Sequence, residues 1–154
     1  MFQIIDKTGM ALIVAMVREI DRREKKNLPY GDHIRALMIY LEGAVPGIAQ
    51  RIREDILWER FQMRYNEPNR DRRRHYGMAC RDLFEQRILH VLFEFGYTEY
   101  QENDFVIEVK FGADKKYHVM VIRPDRTMLT SEVFKFPWDA FAGIDNYDSL
   151  FERM

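Results

Sequence analysis

Asp104, Glu108 and Lys110 are the residues whose types and spacing come nearest to a catalytic set. Two carboxylates can hold a divalent metal, and a lysine beside them can activate the attacking water. The segment Asp104–Phe111 alternates: Phe105, Ile107, Val109 and Phe111 fall on one side, Asp104, Val106, Glu108 and Lys110 on the other. As a strand it carries all three polar residues on one face. Charges alternating along the wet face of a sheet write the same string with no chemistry attached. Glu108 and Lys110 are therefore expected to face solvent.

An acidic residue followed by Glu108-Val109-Lys110 resembles, over seven residues, the restriction-endonuclease-type nucleases. The resemblance implies metal-dependent phosphodiester cleavage. In that family the Asp and the E-x-K set usually sit on neighbouring strands, whereas here all three share one strand. A divergent metal-dependent nuclease is accordingly the third reading of function.

Little else is equipped for catalysis. His33, His75, His90 and His118 share no metal-ligand spacing, and the one cysteine, Cys80, rules out a thiolate zinc site and an intrachain disulfide. Cys80 precedes Phe84 by four residues in a helical pattern and reads as a small buried apolar residue. His90, among apolar neighbours, reads as a hydrogen-bonded core or boundary histidine. A glycine-rich phosphate loop, a nucleophile elbow and an HExxH motif are all missing. The expectation is a protein that is not an enzyme, with no cofactor, no metal and no small-molecule substrate.

Charge is placed unevenly. Residues 51–81 hold nine arginines against five acids, whereas residues 82–154 hold eight bases against fourteen acids, and the whole chain nets −1. Such a dipolar layout suits docking to a partner, self-association or an internal ion-pair network. Arg51, Arg53, Arg60, Arg64, Arg70, Arg72, Arg73 and Arg74 could meet phosphates, and a helix–turn–helix ahead of a β-hairpin has winged-helix proportions. A nucleic-acid-binding regulator using segment 51–74 is the second reading. Against it stand a sequence pI of 6.4 and acids interleaved with the arginines, which make ordinary i, i+4 pairs.

The leading reading is a non-enzymatic protein–protein interaction or assembly module: an adaptor, an oligomer subunit or a small inhibitor of a larger machine. A viral or mobile-element accessory protein fits that description. Its motive is a helix expected over about Pro46 to Asn66. Ile48, Ile52, Ile56 and Met63 fall on one side of it, and Leu57, Trp58, Phe61 and Tyr65 nearly opposite. A helix with two apolar surfaces is either central in its bundle or docks one surface on a partner. Trp58, Phe61 and Tyr65, flanked by Arg53, Arg60, Arg64, Arg72, Arg73 and Arg74, are the expected partner-binding residues, being hot-spot types. Arg72, Arg73 and Arg74 are expected to be exposed.

The elements behind these residues follow from a change of hydrophobic period near Gly96. Before it, stripes at helical spacing predict about four helices: Thr8–Lys26, Asp32–Glu42, Pro46–Asn66 and Met78–Phe95. Thr8 and Asp32 are expected as N-caps, and the last turns of the first helix, Arg22 to Lys26, as exposed charge. After it, Asp104–Phe111, Tyr117–Arg123 and Met128–Phe136 read as an antiparallel meander, with Tyr97–Gln101 as a short edge strand. The tail 137–154, with Trp138, Phe141, Ile144, Tyr147, Leu150 and Phe151, reads as one or two short helices. The fold class is α+β in a single domain, 1–154, whose helical part covers about 1–96 and whose meander covers about 97–136. The apolar run Met10–Val17 is far short of the ~20 residues that span a bilayer, and it does not read as a signal peptide. No membrane is expected among the partners, and a cytoplasmic location is.

Overall fold

The computed structural model describes residues 5–101 and 103–152, without the side chains of Tyr100 and residues 148–152. The architecture is α+β, helices first, then a four-stranded antiparallel sheet, then a helix. It divides into two compact units: a helical one, Thr8–Ile88, and a sheet unit, made of the described residues from Leu89 onward with those before Thr8.

In the helical unit, α1 (Lys7–Lys25) buries Met10, Ile13, Val17, Ile20 and then Glu24, so its core stripe ends in a carboxylate. The expectation that Glu24 is exposed is thereby corrected: it lies seven residues after Val17 and four after Ile20, on the apolar face. Asn27, with φ 55°, closes the helix, and Leu28 N–H donates to the Arg23 carbonyl at 2.8 Å. This is the left-handed cap that asparagine tolerates.

α2 (Gly31–Ala44) buries Ile34, Leu37, Met38 and Leu41. Its N-cap is Tyr30, and Asp32 lies in the first turn, where a negative charge suits the helix dipole. The helix expected over 46–66 is two helices, α3 (Ile48–Arg53) and α4 (Ile56–Asn66). Asp55 causes the break: it is extended, with φ −97° and ψ 148°, and its carboxylate accepts the Leu57 N–H at 2.8 Å. That hydrogen bond caps a new helix and ends the old one.

The break also dissolves the puzzle of a two-faced helix. Ile48 and Ile52 belong to α3 and are buried, whereas Ile56 and Met63 on α4 are exposed and form no core stripe. α5 (Arg70–Tyr76) is a separate short helix capped by Asn69, whose Oδ1 accepts from Asp71 and Arg72 N–H. The following helix begins as α6 (Cys80–Leu83), widens to π geometry over Phe84–Ile88 and continues as α7 (Leu89–Phe95). Phe84, Ile88, Val91 and Leu92 are buried as expected, but Phe95 is exposed. Gly96 takes φ 87°, the left-handed stop after a helix.

In the sheet unit, β1 (Tyr97–Tyr100), β2 (Val106–Phe111), β3 (Tyr117–Ile122) and β4 (Met128–Phe134) pair in sequence order, all antiparallel. β2 starts two residues later than expected. α7 lies on β1 and β2, and α8 (Pro137–Glu152), one continuous helix, on β3 and β4. The α7 face of the sheet is aromatic: His90 and Phe93 meet Phe111, Tyr117 and Tyr97 edge to face. His90 Nδ1 is 2.6 Å from the Tyr117 hydroxyl and its Nε2 3.3 Å from Glu94, so this histidine sits in a hydrogen-bonded boundary position. Among the described residues no helix is long and apolar enough to cross a membrane.

Candidate binding groove

α2, α3 and α4 enclose a groove of about 560 Å³ in the helical unit, lined among others by Trp58, Tyr65, Arg53, Arg35, Met38 and Ile39. Each wall has a local cause. Gly47 and Ala49 N–H donate to the two oxygens of Glu42 at 2.8 and 3.0 Å, fixing the turn from α2 to α3. These bonds, Gly47 first, hold the Glu42 carboxyl below its usual range. Glu42 is thus committed to capping. Gly31 opens α2 at the end of the groove, and a Cβ there would overlap the Tyr65 hydroxyl, so glycine lets the phenol lie against the helix start. Tyr65 also stacks edge to face on buried Tyr30, with centroids 5.1 Å apart.

Of the three aromatic residues expected on one face, Phe61 is 1% exposed and belongs to the core. It cannot touch a partner. Trp58 rests on it, with centroids 5.5 Å apart, and stays half-buried, as does Tyr65. Both line the groove. Arg53 is exposed on the groove wall, whereas Arg60 is exposed elsewhere on α4. Arg53 precedes the break and so lies on a different helix from Arg60 and Arg64. Ile39, 66% exposed, adds an apolar rim. Arg35 is 3.7 Å from Asp32, a long exposed pair of small worth.

Arg64 turns inward: its Nε and Nη2 donate to Glu24 Oε1 at 3.0 and 2.8 Å, and its Nη1 donates to the Arg73 carbonyl. This ion pair, forty residues apart in sequence, accounts for the buried carboxylate on α1. Beside it Glu24 Oε2 and the Tyr30 hydroxyl are both buried. Burial, then the Glu24 charge and the hydrogen bond to its carboxylate, pushes the Tyr30 phenol up. Burial likewise pushes the Cys80 thiol up, with Glu24 and Asp21 adding to it, so Cys80 is no thiolate at neutral pH. Arg72 and Arg74 are exposed, but Arg73 is half-buried, contrary to expectation. Its Nε donates to the Glu67 carbonyl at 2.8 Å and its Nη2 to that of Pro68.

The residues with nuclease-like spacing do not assemble. Asp104 lies off the strand, exposed in a turn with φ 63°. Glu108 is 8% exposed, between Thr98 on β1 and Met120 on β3, which corrects the expectation of a wet face. Lys110 is exposed opposite His118. Among the described residues no three His, Cys, Asp or Glu side chains converge as metal ligands.

The fold and groove define an α+β chain with an aromatic, arginine-bearing cleft in its helical unit. The sequence matches no protein-family model, no curated protein and no solved structure.

Proposed function

We propose that the chain is a non-enzymatic protein-interaction module whose groove between α2, α3 and α4 takes an acidic, amphipathic segment of a protein partner. The observation that carries this reading is the half-buried pair Trp58 and Tyr65 beside Arg53 in one concave site. Trp, Tyr and Arg in a partly desolvated pocket are the residues on which binding energy concentrates. Charge sets the partner's chemistry. Glu42 keeps its charge while its oxygens cap the α3 start, so Arg35 and Arg53 leave the groove lining with two cations against one carboxylate. A partner with carboxylates flanking apolar anchors complements both the cations and the aromatic floor.

Selection from a displayed peptide library tests this, with counter-selection on an Arg53→Glu, Trp58→Ala variant. Enrichment of acidic peptides with aromatic or aliphatic anchors supports the proposal. Peptides that bind the variant as well as the wild type, or enrichment of basic sequences, reject it. Light scattering on the purified chain separates out self-association: a dimer that Arg53→Glu dissociates would make a second copy the occupant and reject a foreign partner.

A further inference from the structure

A second cavity in the helical unit, about 270 Å³, is lined by Glu24, Lys25, Arg64, Arg70, Arg73 and Arg74. Five cations there face one carboxylate. Internal pairing neutralises two of them. Arg64 takes up one oxygen of Glu24, and Lys25 pairs with Asp21 at 2.9 Å. Arg70 and Arg73 are held instead by carbonyl oxygens: Arg70 Nη2 donates to the Lys25 carbonyl at 3.2 Å, and Arg73 to those of Glu67 and Pro68. Carbonyls orient a guanidinium without cancelling its charge. Each of these side chains keeps further N–H donors for a ligand, since a guanidinium carries five. Arg74 stands exposed at the opening.

Oriented, un-neutralised guanidinium groups in a concave site are the usual recognition device for phosphoryl oxygens. Glu24 adds a constraint of position. Its carboxylate is already met by Arg64 and lies beside the buried Tyr30 hydroxyl, so an anion must sit toward Arg70, Arg73 and Arg74. A space equal to roughly nine waters, at about 30 Å³ each, exceeds what one phosphate requires. We infer that the pocket between the end of α1, α4 and α5 binds a small phosphate monoester, its phosphoryl group on Arg70, Arg73 and Arg74. This site is separate from the groove, and its test does not depend on the protein partner.

Titration calorimetry at low salt, using ribose 5-phosphate, inorganic phosphate and ribose as probes, decides the matter. The ester should bind more tightly than phosphate, and ribose should not bind. Arg70→Gln and Arg74→Gln, both at exposed positions, should each weaken the ester about tenfold or more, while the urea midpoint stays in place. Equal binding by the wild type and both variants would reduce the effect to an adventitious ion only and overturn the site. Absence of binding at millimolar ester would overturn it too. Binding of a 5′-phosphorylated oligonucleotide in preference to the ester would overturn the small-molecule class.

Discussion

Both units hold local charge pairs, Lys25 with Asp21 among them, but the helical unit adds ties between side chains far apart in sequence. In the sheet unit Asp114 meets His118 four residues on, Asp125 meets Thr127 two residues on, and His90 meets Glu94. In the helical unit Glu24 meets Arg64 forty residues away, Arg70 reaches the Lys25 carbonyl, and Arg87 bridges to Asp55 and the Arg51 carbonyl. The first kind of contact closes turns and costs little to lose. The second kind ties helices together with half-buried charge, and removing one partner strands the other. The difference extends to net charge: the helical unit holds sixteen Lys and Arg against twelve acids, the sheet unit eight against thirteen.

The comparison can be broken most sharply at Arg64. Arg64→Ala leaves the Glu24 carboxylate buried and alone, and should destabilise the chain by about 3–5 kcal/mol in urea unfolding. A loss within ~0.5 kcal/mol would mean that the long-range pair carries no weight. Gly31→Ala comes next: the new methyl must displace the Tyr65 ring, at a cost of about 1–3 kcal/mol, typical of overpacking. Asp55→Ala removes the cap that separates α3 from α4, worth about 1 kcal/mol, and also strands half-buried Arg87, so the loss should exceed that of the cap alone. Amide exchange should then speed up at Leu57 before it does elsewhere in α4.

The smallest effect belongs to the sheet unit. His118, then the Lys116 N–H, hold the exposed Asp114 carboxyl below its usual range. Because the folded-state value is the lower one, this contribution is complete above the ordinary carboxylate range and disappears as the pH falls through the folded-state value. Asp114→Asn should leave the urea midpoint unmoved at neutral pH within measurement error. A clear loss there would erase the contrast between the two units.

Sequence order explains which parts of the molecule were legible. The meander was readable because period two, Gly112-Ala113-Asp114-Lys115 and Pro124-Asp125-Arg126 all act within a few residues. The stripes of α1 and α2 were readable for the same reason. Asp55 is not legible as a cap, since an aspartate inside a long apolar pattern looks like surface charge until its carboxylate takes a backbone N–H. Its signal was the pair Glu54-Asp55 ahead of a fresh apolar run. Glu24 could have been found from its place on the stripe of Val17 and Ile20; its partner Arg64 could not, because nothing local joins α1 to α4. Glu99, buried on β1 and accepting from the Tyr97 hydroxyl, was likewise invisible. The groove is half legible: Trp58, Tyr65 and Arg53 come from the expected segment and line it, while Phe61 goes to the core and Arg35 comes from another helix.

Trp58→Ala bears most directly on the proposal that the groove is a docking site. Urea unfolding and affinity for a library-selected acidic peptide, measured on the same preparation, separate the two roles that an aromatic residue can have. The account predicts a loss of 2 kcal/mol or more in binding, the usual hot-spot threshold, with a smaller loss of stability, since Trp58 is half-buried. A stability loss of about 3–5 kcal/mol, as for a core aromatic, with unchanged affinity in the folded fraction would contradict it.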